Sequence, residues 1–486
     1  MRTFSASTAR EWTTCVLAGS GPIMGMAQVR AAAFGVLGAL CALVPALVMW
    51  GFTVDDALIP IRYASHVASG AGYRFNLGGP ATDGVTPLPW VYMIAPFASA
   101  DAMATLVRVK ATGVFAWTLA AGVLAFRIAR IRNGRSLLLP GLGFLVMALA
   151  FEIGAWSASG METGVATALA TLAVVCFEKP WLCACLAGLA TALRPELVIW
   201  ALSLSFGVST VRAGLREVDG LRHAVLSAAI AGAPFVLCVL VRLAVFGRPE
   251  PLALMAKPSD LAHGLTYAIA AAVVLLTPLL AFAPIGLAKV RGSALAIVTA
   301  FVAHLLAIIL VGGDWMPYAR LVVPVAPSLV LAFTLTLARG GSWPPVARAV
   351  VATAIGAFLA VRAAPAGRHV FSDRADLVAR AKPVLASSHV VAALDIGWVS
   401  AATPARIVDL AGLTDPTVAV LGGGHTSKRV DAGMLLDRNV DTVVVYSDMR
   451  VVEARLVRSE LFASHYAPGE VLALGSAASY VVYRRR

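Results

Sequence analysis

Long apolar runs follow one another through the first three quarters of this chain, and they limit its fold to one class. A helix that crosses a bilayer needs about 20 mostly apolar residues. Here 59% of the 486 residues are hydrophobic and 13% are charged, whereas an ordinary soluble domain has about 25% charged residues. The sequence therefore predicts a polytopic α-helical membrane protein of about 11 spans. The runs lie near 32–52, 103–127, 136–151, 163–177, 181–194, 195–210, 221–246, 265–288, 293–312, 320–338 and 345–362.

Two regions depart from a simple span. The runs on either side of Arg194-Pro195 are short, so a broken helix is predicted there, with freed backbone that lines a cavity. Pro87–Ala100 is too short to cross and is predicted to form a re-entrant or interfacial helix. Met1–Arg30 is polar, and no cleavable signal peptide is expected because the first apolar run is long enough to stay in the bilayer.

Basic residues concentrate in four connections between the runs: Arg127–Arg135, Arg212–Arg222, Lys289–Arg291 and Arg339–Arg348. Short connections rich in Lys and Arg stay on the cytoplasmic side of a membrane. Residues 1–31 are therefore expected in the cytoplasm, and the last span is expected to end outside. The net charge of +13 follows from this arrangement, so no nucleic-acid partner is expected.

The composition changes after residue 362. Twelve of the 26 acidic residues lie between Asp373 and Glu470. Short β-prone runs at 390–395, 406–409, 442–446 and 480–483 are joined by helical patterns around 373–385 and 449–461. This pattern predicts a small extracytoplasmic α/β domain over 363–486, after a membrane module over 32–362. All six cysteines precede residue 240, so neither a disulfide framework nor a zinc site is expected.

The predicted first outer loop, residues 53–90, begins with two adjacent carboxylates, Asp55 and Asp56. Charged groups beside hydrocarbon are costly and usually serve a function. A positioned carboxylate can take the proton of an attacking hydroxyl, and the pair could also share a divalent cation, although no complete ligand set can be read. The alternative is that an aspartate caps the helix predicted over 57–68, with Asp56 as the cap while Asp55 does the chemistry.

Helical spacing places Asp55, Ile59, Arg62, Tyr63 and His66 roughly on one face of that predicted helix. Arg62 could hold a phosphate or pair with Asp55. It could equally be an interfacial arginine whose charge reaches the membrane surface. His66 is expected to be a structural or surface histidine.

Six further ionisable residues lie near the ends of apolar runs, all on the predicted outer side. They are Glu162, Arg194, Glu196, Lys257, Asp314 and Arg320. A cation here could neutralise a phosphate leaving group, and a carboxylate could orient a hydroxyl. Alternatively, these residues form internal ion pairs or interfacial anchors that fix the helix bundle. Their common side favours chemistry on a lipid-linked substrate at the membrane surface.

Taken in order, these elements resemble GT-C class glycosyltransferases that use polyprenyl-phosphate sugars. Within that class, the elements are most similar to those of the terminal β-(1→2)-arabinofuranosyltransferases of actinobacterial cell walls and their relatives in other bacteria. The matching elements are Asp55-Asp56-Ala, Arg62-Tyr63-Ala, Ser159-Gly-Met-Glu162-Thr, Arg194-Pro-Glu196, Lys257 before Gly264-Leu-Thr-Tyr267, Gly312-Gly-Asp314-Trp-Met…Arg320 and Asp409-Leu-Ala-Gly-Leu-Thr-Asp415. The chain departs from the family pattern at Pro60, Gly79-Pro80, Asp83 and the residue after Glu196.

The resemblance implies a GT-C-like module in a bacterial cytoplasmic membrane. Its activity would be inverting transfer of a sugar, such as arabinofuranose, from a polyprenyl-phosphate donor to an extracytoplasmic glycan, lipid or protein. It implies Asp55 as the general base, with Asp56 orienting the acceptor or a cation; no other cofactor is expected. The implied phosphate ligands are Arg62, Lys257 and Arg320. The implied sugar contacts or supporting residues are Tyr63, Glu162, Arg194, Glu196 and Asp314.

Two other classes of protein remain open. A transporter or flippase of a lipid-linked sugar would also use paired charges in broken helices. A structural assembly protein would use its C-terminal domain to bind partners. The sequence shows no apparent inverted repeat, and its polar residues are predicted at one face instead of at the middle of the bilayer, which favours the enzyme.

Overall fold

The computed structural model of the chain describes residues 25–131, 138–213, 218–256, 260–276, 290–337, 344–476 and 478–486. Lys257, which was predicted to bind phosphate, lies outside the described residues. Within them, the protein has a helical part up to residue 385 and a small α/β domain that begins at residue 390. This agrees with the predicted fold class at that level of detail.

Within the described residues, every predicted apolar run contains at least one helix. Those of the first part are α1 (Met26–Val48), α2 (Leu58–Ala68), α3 (Leu88–Ile94), α4 (Ala102–Ile131), α5 (Leu138–Ala148), α6 (Phe151–Ser157), α7 (Thr163–Val175), α8 (Pro180–Leu193), α9 (Val198–Ala213), α10 (Val218–Phe246), α11 (Leu252–Ala256), α12 (Leu261–Ala271), α13 (Ser293–Leu310), α14 (Ala326–Leu337) and α15 (Pro344–Leu385). By length and composition, five described helices could cross a membrane: α1, α4, α10, α13 and α15 from Val350 on. The protein is thus compatible with a membrane location, and the count of about 11 spans stays a prediction.

The helix break predicted at Arg194-Pro195 is confirmed. Helix α8 ends at Leu193, and Arg194 takes an extended conformation with φ −138° and ψ 91°. A single 3₁₀ turn, Pro195–Leu197, then leads into α9. The segment after the first outer loop is also short: α3 is followed by the 3₁₀ turn Ala95–Phe97. At about 1.5–2 Å per residue these ten residues cannot cross a bilayer.

Helix α15 connects the two parts of the protein. It has 42 residues, which corresponds to about 63 Å at 1.5 Å per residue. It therefore runs without interruption through the domain boundary predicted between residues 362 and 363. Its last turns pack against the C-terminal domain, where Leu377, Val378, Ala381 and Leu385 are buried.

The C-terminal domain is built on a five-stranded mixed sheet with the order β2-β1-β3-β5-β4. Its strands are β1 (Val390–Ala393), β2 (Arg406–Asp409), β3 (Thr442–Tyr446), β4 (Tyr466–Leu474) and β5 (Ala478–Arg485). Its helices are α16 (Ile396–Ala402), α17 (Pro416–Ala419), α18 (Ala432–Asp437), α19 (Val451–Val457) and α20 (Glu460–His465). Strand β1 pairs in parallel with β2 and β3, and β5 runs antiparallel to β3 and β4. The sequence predicted all of these strands except β4.

The loop over residues 53–90 holds this domain against the helical part. The guanidinium of Arg62 donates hydrogen bonds to the carbonyls of Thr403 (3.1 Å) and Ala405 (2.8 Å). The side chain of Asn76 donates to the carbonyl of Ile407 (2.8 Å) and accepts from its amide (2.9 Å). These bonds satisfy backbone groups at the start of β2 as an additional strand would.

Candidate active site

Two cavities meet at the 3₁₀ turn Asp55–Ala57, which precedes α2. Together with the space that is open to solvent at their mouths, the first measures about 680 Å³ and the second about 650 Å³. Asp56, Ile59 and Leu413 line both of them. Asp56 therefore lies on the wall between two spaces, where its carboxylate can contact groups bound on either side.

The first cavity contains four more ionisable residues that the sequence singled out. They are Glu162, Arg194, Glu196 and Arg320. Arg194 lies between the two glutamates: its Nη1 is 2.7 Å from Oε1 of Glu162, and its Nε is 2.6 Å from Oε1 of Glu196. The extended backbone at the helix break makes this possible, because it separates the directions of α8 and the turn that carries Glu196.

This ion pair is buried and incompletely satisfied. The side chains of Arg194 and Glu162 are 5% and 2% exposed. Among the described residues, Nη2 of Arg194 and Oε2 of Glu162 have no hydrogen-bond partner. Buried polar atoms are usually paired, so a donor and an acceptor that remain available beside the cavity suit the binding of a polar ligand. The predicted internal Arg–Glu pair and a ligand-binding role are compatible here.

Arg320 reaches the first cavity from a strained turn. The residues before it, Tyr318 and Ala319, have φ angles of 58° and 51°, which residues other than glycine rarely adopt. Trp156 holds the turn, because its Nε1 donates to the carbonyls of Pro317 (3.2 Å) and Tyr318 (3.1 Å). Strained backbone of this kind persists where the surrounding structure fixes it, often at functional sites.

Asp314 positions the guanidinium of Arg320. The Nε atom of Arg320 donates to Oδ2 of Asp314 at 2.7 Å. Glu162 and Asp56 lie near enough to stabilise the same cation. Asp314 thus acts through Arg320, and Asp56 lines the same cavity as this guanidinium.

Asp55 has a different environment from its neighbour. Its Oδ1 accepts from Nη1 of Arg374 (2.6 Å) and from the amide of Trp398 (2.9 Å), and its Oδ2 accepts from the amide of Gly397 (2.7 Å). Burial raises the pKa of Asp55 to about 6 against the lowering effect of Arg374, and Asp395 and Asp56 raise it further. The role of Asp55 as general base stays a prediction, and the geometry favours Asp56.

The predicted capping role of Asp56 is wrong. The N-cap residue of α2 is Ala57, and it makes no side-chain capping bond. Asp56 instead belongs to the preceding 3₁₀ turn and lines both cavities. His66 is structural, as expected: it is buried, and its Nδ1 lies 2.8 Å from the carbonyl oxygen of Arg74.

The structure does not bring Arg62 to the lining of the first cavity. Its Nε donates to the carbonyl of Phe75 at 2.7 Å, and its other nitrogens donate to carbonyls of the C-terminal domain. Burial lowers the pKa of Arg62 to about 10. Since backbone carbonyls take up its donors, Arg62 is a docking residue in this arrangement, and the predicted phosphate contact has no support from its position.

Tyr63 shapes the cavity wall from behind. Its hydroxyl donates to the carbonyl of Thr82 (3.0 Å) and accepts from the amide of Gly84 (3.2 Å). Gly84 lines the first cavity, and a Cβ atom there would lie 2.6 Å from the Tyr63 hydroxyl and 2.6 Å from Cγ2 of Thr414. Tyr63 therefore supports the glycine that lines the cavity and does not line the cavity itself. Its predicted contact with a sugar has no support from this position.

The second cavity is lined largely by residues that the sequence did not single out. From the C-terminal domain these are Leu394, Asp395, Ile396, Ala411, Leu413, His425, Thr426 and Arg450. From the helical part, Trp315 and Met316 join Asp55, Asp56 and Ile59. Two further matching elements reach this cavity: Trp315-Met316 follows Gly-Gly-Asp, and Ala411 and Leu413 belong to the Asp409–Asp415 element. No group of three or more His, Cys, Asp or Glu side chains in the described part of the chain is arranged to hold a metal ion.

Comparison with known sequences identifies one segment. A family model described as "Domain of unknown function (DUF8728)" matches residues 372–483. No curated protein matches the chain. The matched segment begins within α15 and ends within β5, so it contains the sheet and the C-terminal lining of the second cavity.

Proposed function

We propose that this protein is a membrane glycosyltransferase that moves a sugar from a polyprenyl-phosphate donor to a hydroxyl group of an acceptor. The observation that carries the proposal is the first cavity, whose lining brings Asp56 together with Arg194 and Arg320. A base and a phosphate-binding cation are the two groups that such a transfer requires. The motif resemblance described above supports the same reaction class.

The reaction would proceed by direct displacement. The acceptor oxygen forms a bond to the anomeric carbon while the bond from that carbon to the phosphate oxygen breaks. The departing polyprenyl phosphate keeps the electron pair, and Arg320 stabilises the negative charge that develops on it. Asp56 takes the acceptor proton. Attack from the face opposite the phosphate inverts the configuration, so the acceptor has to enter on the side of Asp56 away from the arginines.

A lipid-linked donor fits the surroundings of the cavity. The walls of the cavity come from the ends of apolar helices, so a polyprenyl chain could lie in the bilayer while the phosphate reaches the arginines. We propose the topology that the basic connections predict, with about 11 spans in a bacterial cytoplasmic membrane and the C-terminal domain outside. Arabinofuranose is the proposed sugar, and an extracytoplasmic glycan, lipid or protein is the proposed acceptor.

The test is a transfer assay in membrane vesicles that contain the full-length protein. Donors are polyprenyl phosphates carrying radiolabelled arabinofuranose or another pentose or hexose, and label in acceptor glycan is measured. Asp56→Asn is expected to lower transfer at least about a hundredfold, the usual contribution of a general base. Asp437→Asn, which changes an exposed aspartate at the end of α18, is the matched control and should transfer at the wild-type rate.

Three results would overturn parts of the proposal. Full transfer by Asp56→Asn would exclude it as the base. Loss of transfer in Asp55→Asn alone, with the C-terminal domain still docked, would return that role to Asp55. Donor that crosses the vesicle membrane intact, with no new glycosidic bond, would identify a transporter.

A further inference from the structure

The indole ring of Trp315 is the most exposed aromatic group at the second cavity. Its side chain is 60% exposed, although large apolar rings are normally well buried. The indole stacks on the imidazole of His263, with ring centroids 4.0 Å apart and an angle of 14° between the ring planes. This contact restricts the orientations that the exposed ring can take. His263 is held in turn, with its Nε2 3.2 Å from the carbonyl oxygen of Asp314. A fixed aromatic face is therefore presented at the cavity.

Fixed polar groups from the C-terminal domain form the other wall. Arg450 donates from Nη1 to both carboxylate oxygens of Asp395, at 2.9 and 2.8 Å. The hydroxyl of Tyr480 donates to Oδ2 of Asp395 at 2.7 Å. His425, on the same side, has its ring 6.1 Å from that of Trp315. Because these groups are already oriented, a ligand that bonds to them would lose little additional entropy from ordering them.

The charge of this cavity disfavours an anionic ligand. Asp55, Asp56 and Asp395 contribute three carboxylates to its lining, and Arg450 is its one lining guanidinium among the described residues. That guanidinium also donates to Glu453 from Nε and Nη2, each at 2.7 Å. A phosphate would meet carboxylates and an arginine whose Nε, Nη1 and Nη2 all donate to carboxylates. In the first cavity, by contrast, Nη2 of Arg194 has no hydrogen-bond partner among the described residues. The ligand that fits is neutral and rich in hydroxyl groups.

We propose that the second cavity binds a neutral saccharide whose ring lies against the indole of Trp315, with its hydroxyl groups toward Asp56, Asp395 and Arg450. One face of a sugar ring consists largely of C–H groups and packs on an aromatic plane, while its hydroxyls lie at the rim and bond to carboxylates. That this saccharide is the acceptor of the transfer rests on the proposed function. It would place the acceptor on the opposite side of Asp56 from the donor phosphate, as inversion requires.

An interfacial anchor is the alternative for Trp315, since tryptophan is common at the membrane surface. The chain offers a matched control for that role. Trp181, at the start of α8, is 43% exposed and also contacts a histidine, His223, with ring centroids 5.8 Å apart. Trp181 lines neither cavity. Loss of an anchor and loss of a saccharide platform can therefore be separated by comparing the two tryptophans.

The experiment measures saccharide binding by the full-length protein in lipid nanodiscs, with no donor present. The probes are neutral trisaccharides of arabinofuranose, galactofuranose and glucopyranose. Their binding is measured by saturation-transfer NMR. We expect at least one of them to bind with saturation of its ring C–H protons. Trp315→Ala should raise its Kd about tenfold or more, the usual effect of removing a tryptophan anchor. Trp315→Phe should retain most of the affinity, and Trp181→Ala should bind like the wild type.

His425→Ala, on the opposite wall, is a second variant that is expected to raise the Kd severalfold if Trp315→Ala does not fold. The proposal is overturned if none of the trisaccharides binds, or if Trp315→Ala and His425→Ala bind them like the wild type. It is also overturned if Trp181→Ala weakens binding as much as Trp315→Ala. Saccharide binding is measured without donor, so this proposal and the proposed function can fail separately. Binding that depends on Trp315, in a protein that transfers no sugar, would contradict the transferase and support the saccharide site.

Discussion

The Oδ2 atom of Asp55 accepts a 2.7 Å hydrogen bond from the backbone amide of Gly397, the second residue of α16. This bond joins the loop over residues 53–90 to the C-terminal domain across 342 residues of sequence. Asp56, the next residue, lines both cavities. The position of Asp56, the proposed base, therefore depends on how the C-terminal domain docks on Asp55.

Gly397→Ala is expected to disrupt this docking. A Cβ atom at residue 397 would lie 2.1 Å from the carbonyl oxygen of Asp55 and 2.6 Å from its Oδ2, so α16 would have to move away. We predict a lower midpoint of thermal unfolding, faster proteolysis between α15 and β1, and a loss of transfer. Gly424→Ala is the matched control, because its nearest atom would be the Ser427 hydroxyl oxygen at 3.8 Å. Equal stability and activity of the two variants would contradict the proposed dependence.

Breaking the buried ion pair between Asp83 and Arg242 is expected to destabilise the loop strongly. Oδ2 of Asp83 lies 2.7 Å from Nε of Arg242, and the side chains are 0% and 3% exposed. Replacing one partner leaves a buried charge without compensation and costs about 3–5 kcal/mol. Thermal or denaturant unfolding of Asp83→Asn and of Asp83→Leu/Arg242→Met tests this, since the double variant removes both charges and should recover most of the loss.

An exposed pair provides the control for that measurement. Arg127 forms an ion pair with Glu178, whose side chain is 61% exposed. Such surface pairs contribute less than about 1 kcal/mol, so Glu178→Gln should unfold close to the wild type. A loss in Glu178→Gln as large as that in Asp83→Asn would show that burial is not the cause.

Asp409 should make stability depend on pH. Burial raises the pKa of Asp409 to about 6, although it accepts from the amides of Ala411 (2.8 Å) and Thr414 (2.6 Å), which lower it. A carboxyl group whose pKa is higher in the folded state binds more protons there, so its contribution is full below about pH 4 and is lost as the pH rises to about 6. The midpoint of thermal unfolding should fall over this window in the wild type. It should fall less in Asp409→Asn; parallel curves would contradict the assignment.

Labelling of introduced cysteines tests the proposed topology. The six native cysteines all precede residue 240, and Cys185 is exposed, so all six are first replaced by serine to give a cysteine-free background. A membrane-impermeant maleimide added to intact cells should label Asp448→Cys, at an exposed position. Arg212→Cys, in a connection predicted to be cytoplasmic, should be labelled only after permeabilisation. The opposite pattern would place the candidate site on the cytoplasmic face and remove the basis for an extracytoplasmic acceptor.

The helices of the first part could be predicted from the sequence because apolar residues in a bilayer environment leave few alternatives to helix. The run predicted at 293–312, for example, forms Ser293–Leu310. Strand β4 could not be predicted in the same way. It lies at the edge of the sheet, pairs only with β5 in the described part of the domain, and most of its side chains are exposed or half-buried, so it lacks the alternating pattern of a buried strand.

The site was predictable where single motifs carry it. Asp56, Glu162, Arg194, Glu196 and Arg320 were all singled out, and the structure brings them to one cavity. Its other parts depend on docking between distant segments, which no local pattern records. Arg374, which bonds to Asp55, lies 319 residues away. This tertiary contact is also what separates the roles of two adjacent aspartates.

The most direct test of the account is a cryo-electron microscopy structure of the Asp56→Asn protein with polyprenyl phosphate bound in nanodiscs. We expect the phosphate in the first cavity, within hydrogen-bond distance of the guanidinium groups of Arg194 or Arg320, with residue 56 on its open side. The lipid chain should leave the cavity between apolar helices. A phosphate bound in the second cavity, or on the other face of the helical part, would contradict the central claim.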